Sequence, residues 1–183
     1  MDFSTPIDDV TLAALKRDCR RTQEKVYRVF SRPAWTLAVR LSGNEATAWD
    51  AVQNGFVKAF EKIAQLERAD RFGAWLRRII VNQVMDAGRR ALDPLPAHYD
   101  PGASAPDHDG AVDLLRALDK LDPMDRAVIW LHDVEGLTHA EIADTLEQSV
   151  AWSKTRLSRA RAKARDLLHP HFEPTRRALP HGQ

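Results

Sequence analysis

Hydrophobic positions between residues 111 and 168 recur at helical spacing, and capping signals divide them into separate helices. Thr138 followed by Glu141 forms a capping box that begins one helix, and Ser149 is a suitable N-cap for the next. Asp122 before Pro123 predicts another helix start, because proline suits the first helical position. The segment 137–165 therefore predicts a short helix, a turn and a longer helix.

The same period runs through the first half of the chain. It predicts a helix after Asp8, a new helix that begins at Pro33, and helices over about 45–66 and 72–90. Residues 1–8 carry no such pattern and are expected to be frayed. The sequence contains no β-hairpin signal and no internal repeat, so the expected fold class is all-α.

Proline and glycine mark the boundary between two helical domains. Residues 92–110 hold four prolines and two glycines without a helical period, which predicts a flexible linker. The predicted domains are therefore 1–91 and 111–168. The last segment, 169–183, has three prolines and is predicted to be disordered.

Charge is segregated along the chain, although the formal net charge is only +1. Residues 1–91 carry a net +5, the linker 92–110 a net −4, residues 111–147 a net −6, and residues 148–183 a net +6. Such segregation predicts separate surfaces for separate partners.

Several classes of protein are disfavoured. The one cysteine, Cys19, excludes an internal disulfide and a cysteine-rich zinc site. The histidines lack metal-ligand spacing on a regular element, and no nucleophile–base pair or glycine-rich phosphate loop is evident. We therefore expect no enzyme activity, cofactor or metal. No apolar run has the length of a membrane span and no signal peptide is evident, so a cytoplasmic protein is expected.

The second helix of the 137–165 segment is strongly basic and has no acidic residue among its cations. This arrangement is typical of a helix-turn-helix, whose second helix enters the DNA major groove. The alternative is an ordinary helical bundle with a solvated basic face. Lys154 and Arg156 could contact bases or only phosphates, and Trp152 could be a wedge against the DNA backbone or a core residue.

Several motifs together resemble bacterial sigma factors of the extracytoplasmic-function group. In the C-terminal half they are Leu121-Asp122-Pro123, Asp133-Val134-Glu135-Gly136-Leu137, Glu141-Ile142-Ala143 and Lys154-Thr155-Arg156-Leu157. In the N-terminal half, RLSGNEATAWDAVQNGFVKAF and RFGAWLRRIIVNQVMDAGRR stand at the expected order and spacing. The resemblance covers residues 20–168.

The resemblance implies a transcription initiation factor with two partners. The first domain would bind the clamp helices of core RNA polymerase and open the promoter hexamer near the start site, and the second would recognise the more distal promoter element. The connection 65–71 resembles the loop that captures a flipped promoter base. The DNA-binding residues implied are Arg71, Arg77, Arg78, Asn82, Arg89, Arg90, Ser153, Lys154, Arg156, Arg159 and Arg161. Phe72 and Trp75 could stack on an unpaired strand or belong to the core.

The sequence departs from the family where the polymerase-binding helix begins. The family has an Asp-Ala-Glu-Asp cluster there, followed by Leu-Val-Gln-Glu, whereas this chain keeps only one of the acids. Charge complementarity controls encounter and specificity at such contacts, so the unmodified protein is expected to bind polymerase weakly. The polymerase-binding residues implied are Thr47, Trp49, Asp50, Gln53 and Asn54.

Thr47 occupies the first of the lost acidic positions. A phosphate there would add about −1.5 to −2 charge near a helix N-terminus, where anions are favoured. The resemblance implies a branch of the family that a Ser/Thr kinase switches on, whereas no anti-sigma protein is indicated. The alternative is an ordinary helix-start threonine, with Trp49 replacing charge by packing.

A second function remains open from the sequence alone. Conventional regulators that never join polymerase carry a similar C-terminal helix-turn-helix. Residues 20–90 favour the initiation factor, because such a regulator would normally have a receiver or ligand-binding domain in that place.

Overall fold

The computed structural model describes residues 3–90 and 109–168, and every regular element in those ranges is a helix. The predicted linker and tail lie outside the described residues. The helices are α1 Asp9–Lys16, α2 Arg20–Ser42, α3 Glu45–Glu61, α4 Phe72–Arg90, α5 Asp109–Asp119, α6 Pro123–Ile129, α7 His139–Leu146 and α8 Val150–Leu168. The all-α fold with two helical units is confirmed.

Helices α1–α4 form the N-terminal unit, in which α2, α3 and α4 pack against one another. Asp8 caps α1, its carboxylate accepting the Thr11 backbone N–H at 2.7 Å. The prediction that Pro33 begins a helix is wrong, because α2 continues through it. Proline removes one helical hydrogen bond, and burial of Phe30 and Leu37 on either side of it offsets that loss.

The prediction that residues 1–8 are frayed is wrong from residue 3 onward, because this segment packs against α4. Phe3 is buried and the Arg77 guanidinium lies over its ring, 6.0 Å from the centroid. The backbone of Phe3 approaches α4 at Gly73 so closely that a Cβ atom on residue 73 would overlap the Phe3 carbonyl. This contact could not be predicted from the helical spacing of hydrophobic residues, because a single aromatic residue forms no repeating pattern.

Helices α5–α8 form the C-terminal unit, and its predicted caps are present. The Asp122 carboxylate accepts the backbone N–H groups of Met124 and Asp125. The capping box of Thr138 and Glu141 is complete, with the Thr138 backbone N–H donating to the Glu141 carboxylate at 2.8 Å. A π-helical turn, Trp130–Val134, follows α6 and leads into the turn before α7.

The two units contact each other directly. Helix α4 packs on α6 and α7, and α2 packs on α6. Buried apolar side chains of both units belong to one continuous cluster. The basic α4 consequently faces the acidic part of the C-terminal unit.

Two glycines of α4 provide a matched test of the packing around Phe3. Gly73→Ala should lower the free energy of unfolding by about 1–3 kcal/mol, because the methyl group must displace backbone. Gly88→Ala should raise it by about 0.5–1 kcal/mol, since no heavy atom lies within 4 Å of a Cβ placed there. Urea unfolding of both variants measures this. Equal effects at the two positions would contradict the close approach of residue 3.

Candidate nucleic-acid and polymerase interfaces

Two of the five predicted DNA contacts on α8, Arg156 and Arg161, form ion pairs within the C-terminal unit. The Arg156 guanidinium lies 2.6 Å from the Asp122 carboxylate and also contacts Asp125, and the Lys163 ammonium group contacts Asp125 as well. The Asp125 side chain is only 1% exposed, so these cations neutralise a buried charge. Arg161 likewise contacts Asp133.

These ion pairs persist at neutral pH. Burial of Asp122 favours its neutral form, but hydrogen bonds with Asp125 and the charges of Arg156 and Lys163 outweigh burial and lower the pKa of Asp122 to about 2. The hydrogen bond with Asp133 raises the pKa of Arg161. The partners of these pairs are far apart in the sequence: Arg161 and Asp133 by 28 positions, Arg156 and Asp122 by 34, and Lys163 and Asp122 by 41. The basic helix therefore looked unpaired in the sequence.

The remaining basic residues of α8 face solvent. Lys154 and Arg159 are exposed, and neither forms an ion pair with another residue of the described ranges. The prediction that Ser153 contacts DNA does not fit its position, because the side chain is fully buried and its hydroxyl lies 3.1 Å from His139 Nδ1. Trp152 is half-buried, with the Arg156 guanidinium 5.9 Å from its ring centroid.

The turn that leads into α4 presents exposed charge. Arg71 is exposed at its end, and the neighbouring Asp70 carboxylate accepts two hydrogen bonds from Arg68, at 3.0 and 2.6 Å, which lower the pKa of Asp70. Phe72 is fully buried, and half-buried Trp75 packs against it with ring centroids 6.1 Å apart. Phe72 is therefore a core residue, whereas Arg68, Asp70 and Arg71 are accessible.

Three predicted DNA contacts on α4 lie under the C-terminal unit. Arg77 Nη1 is 3.6 Å from a carboxylate oxygen of Glu135, and Arg78 Nη1 donates to Asp144 at 2.8 Å. Asn82 lines a groove together with residues of α6 and α7. The side chains of Arg89 and Arg90, in the last turn of α4, lie outside the described residues.

The predicted polymerase-binding residues share one side of α3. Trp49 is 46% exposed, and Asp50, Gln53 and Asn54 are exposed beside it. The Trp49 ring lies 6.2 Å from that of Trp35 on α2. Thr47 stands in the first turn, half-buried, with its backbone N–H donating to the Asn44 side chain at 2.9 Å.

Val57 extends this surface, and the sequence analysis missed it. Its side chain is 56% exposed, two turns after Trp49 and one after Gln53. The neighbouring Phe56 is buried and Phe60 is half-buried, whereas Val57 faces solvent. The α3 strip, as we call Trp49, Asp50, Gln53, Asn54 and Val57, thus combines two exposed apolar groups with one carboxylate.

Residues 3–90 and 109–168 contain neither a candidate metal site nor a candidate membrane span. No group of three or more His, Cys, Asp or Glu side chains there could hold a metal ion. None of the helices described is both long and apolar enough to cross a membrane.

Comparisons with known proteins agree with this geometry. Residues 26–92 match the family described as sigma-70 region 2, and residues 111–163 match sigma-70 region 4. The chain is 33% identical to the ECF RNA polymerase sigma factor SigE of Mycolicibacterium smegmatis, over 94% of this chain and 68% of SigE.

Two solved structures share the fold. CnrH, in complex with the cytosolic domain of CnrY, is 27% identical with a TM-score of 0.61, over 89% of this chain and 97% of that chain. RpoE of Bartonella quintana, in complex with the anti-sigma factor NepR, is 24% identical with a TM-score of 0.60, over 81% and 98%.

Arg156 and Arg159 should respond differently to truncation. Arg159→Ala should lower affinity for duplex DNA and reduce the salt dependence by about one unit of slope for a lost phosphate contact, with little change in stability. Arg156→Ala should also lower the free energy of unfolding by roughly 1–3 kcal/mol, because Asp125 loses a partner. Fluorescence anisotropy at several salt concentrations and urea unfolding measure the two effects. Arg20→Ala, on the exposed start of α2, is the control. An Arg156→Ala protein as stable as the wild type would contradict the conclusion that Arg156 compensates the buried charge of Asp125.

Proposed function

The chain belongs to the extracytoplasmic-function group of bacterial sigma factors, which direct RNA polymerase to promoters, and we propose that three of its helices divide this work. The α3 strip binds core RNA polymerase, the basic side of α4 with Arg71 holds the opened promoter strand, and α8 recognises the distal promoter element. The observation that carries this proposal is the presence of both sigma regions, in order, in one chain.

The strip on α3 supports the polymerase contact by its chemistry. Tryptophan is enriched among the residues that dominate binding energy at protein interfaces. Trp49 and Val57 are large apolar groups left exposed on a helix that otherwise buries its apolar side. Because the strip retains only Asp50 as an acid, apolar burial has to supply more of the affinity than charge does.

Helix α8 supports the promoter contact through its exposed side. Lys154 and Arg159 are available for phosphates, and Thr155 and Ser158 are exposed between them as groups that could hydrogen-bond to base edges. The ion pairs of Arg156 and Lys163 with α6 hold this helix in a fixed orientation. A rigid helix presents its side chains to the major groove with less loss of entropy.

The phosphorylation of Thr47 belongs to the same proposal. Thr47 lies in the first turn of α3, where the positive end of the helix dipole favours a phosphate. The modification would place negative charge beside the strip, where the family has acids. A Ser/Thr kinase is then the activating partner. The packing of Trp49 near Trp35 favours the alternative, in which Thr47 is an ordinary helix-start residue.

Other partners follow from the relatives. CnrH is bound to the cytosolic domain of CnrY, and a protein of that kind is a second candidate regulator for this chain. The proposed function is non-catalytic and is exercised where core polymerase acts, in the cytoplasm. A regulator that never joins polymerase is disfavoured, because residues 26–92 match the polymerase-binding region of sigma factors.

Truncation of Trp49 and of Val57 tests the polymerase surface, and truncation of Val10 is the control. Trp49→Ala should weaken binding to core polymerase by about tenfold or more, and Val57→Ala should weaken it by a smaller factor. Val10→Ala on α1, where the side chain is 75% exposed, should leave binding unchanged. Co-purification and titration with core polymerase measure this, with circular dichroism to check folding. Binding that is equally insensitive to Trp49→Ala and Val10→Ala would contradict the assignment.

Variants of Thr47 test the phosphorylation. Thr47→Ala should abolish promoter-directed transcription in cells, and Thr47→Glu should restore it only in part, because a carboxylate has less charge and fewer oxygens than a phosphate. The control is Thr36→Ala, at an exposed threonine of α2. Mass spectrometry of Thr47 from active cells completes the test, and full transcription by Thr47→Ala would exclude the switch.

A further inference from the structure

A buried hydrogen bond between two side chains joins α7 to α8. The Ser153 hydroxyl on α8 is fully buried and lies 3.1 Å from Nδ1 of His139, the first residue of α7. Apolar side chains of both helices, such as Ile142 and Leu157, belong to the core around this bond. Apolar packing is non-directional, whereas a hydrogen bond requires a particular distance and angle. The bond therefore restricts the orientation of α8 against α7 more narrowly than packing alone.

Ser153 is the polar member of an otherwise apolar side of α8. The other side chains that this helix buries are Leu157, Ala160 and Ala164. A hydroxyl in such surroundings is tolerated only while it is hydrogen-bonded, because it has lost its contact with water. The position of α8 thus depends on where the His139 ring is held.

A second histidine and several charges surround the His139 ring. The rings of His132 and His139 meet edge to face, with centroids 4.8 Å apart. The ionisable groups near His139 come from two elements: His132 and Asp133 in the π-helical turn, and Lys154, Arg161 and Arg165 on α8. Asp133 already contacts Arg161 and lies 3.5 Å from His132 Nδ1. Within the described residues, a proton on His139 would therefore join a place where cations outnumber carboxylates.

These surroundings favour the neutral His139 ring. Partial burial, followed by the charges of His132, Lys154 and Arg161, lowers the pKa of His139 below its ordinary value of 6.5. The unfolded chain consequently takes up this proton more readily than the folded chain, so the free energy of unfolding falls as the pH drops below about 6.5. A charged ring is accommodated best when it moves toward solvent, and that movement separates it from Ser153.

We propose that the hydrogen bond between His139 and Ser153 sets the orientation of α8, and that protonation of His139 releases this helix and reduces its discrimination between DNA sequences. His139 is a positioning residue, because it affects base contacts through Ser153. Lysine and arginine keep their charge over this pH range, so affinity for DNA of any sequence should persist while sequence preference declines. This inference rests on the proposed function, in which α8 recognises the distal promoter element.

The pH profile of sequence discrimination tests the proposal. A duplex DNA library with a randomised central segment is selected with the full-length protein at about pH 7.5. Fluorescence anisotropy then gives the affinity for the enriched sequence relative to a shuffled one. For the wild type this ratio should fall about tenfold between about pH 7.5 and about pH 5.5, which is the discrimination that one base contact supplies.

Two substitutions separate the hydrogen bond from the proton. His139→Asn keeps a hydrogen-bonding amide near the place of Nδ1 but does not titrate. Its ratio should be the same at both pH values and close to that of the wild type at the higher one. Ser153→Ala removes the hydroxyl and keeps both histidines, so its ratio should be low at both pH values.

A buried threonine of α7 provides the control for lost packing. Thr145→Ala removes a buried hydroxyl and a methyl group away from His139, so it should keep the pH profile of the wild type even if it is less stable. Urea unfolding at each pH gives the folded fraction of every variant.

Either of two results would overturn the inference: equal discrimination by the wild type at both pH values, or a His139→Asn protein that loses discrimination in acid as the wild type does. If His139→Asn does not fold, NMR of the wild type decides. The α8 backbone amides around Ser153 should shift with the same midpoint as the His139 ring signals, and amides that stay unchanged through that titration contradict the proposal.

Failure of the proposed function is a separate result. In that case no sequence would be enriched from the library at the higher pH. The NMR titration would still show whether a proton on His139 moves α8.

Discussion

Ion pairs made by the acidic segment 111–147 position both of the basic helices on which the proposed DNA contacts depend. Within the C-terminal unit, Asp122 and Asp125 hold α8 through Arg156 and Lys163. Between the units, Glu135 and Asp144 meet the arginines of α4. A partly buried ion pair costs most when one partner is removed, because the other charge is left without compensation. The acidic segment therefore fixes the positions of the basic side chains on α4 and α8. It also limits how many of them are available to a ligand.

On α8, the cations that orient the helix are different from the cations that are available to bind DNA. The cations that pair with Asp122 and Asp125 fix the helix, whereas Lys154 and Arg159 remain exposed. A phosphate contact adds affinity without sequence information, whereas the angle of the helix decides which bases its side chains reach. In the proposed function, the buried carboxylate of Asp125 would thus affect promoter selection by orienting α8, without touching the DNA.

The exposed surface of α3 in the N-terminal unit is mainly apolar and polar, whereas that of α8 is basic. Its α3 strip exposes tryptophan and valine with a single carboxylate, so it suits a partner that buries apolar surface. The strip is exposed, whereas Arg77 and Arg78 on α4 face Glu135 and Asp144. In the proposed function, a phosphate on Thr47 would add charge beside the strip.

Local patterns in the sequence identified most of the helices, their caps and the family, although they wrongly began a helix at Pro33. The capping box at Thr138, the cap at Asp122 and the motifs of both sigma regions depend on neighbouring residues, and local spacing is visible in a sequence. Which cations remain available, and how the units meet, depends instead on tertiary packing. Arg156 and Arg159 look equivalent three positions apart on one helix, yet one faces an acid 34 residues earlier and the other faces solvent. Pairings of that kind, like the burial of Phe3 against Gly73, depend on how distant segments pack, and no local period records them.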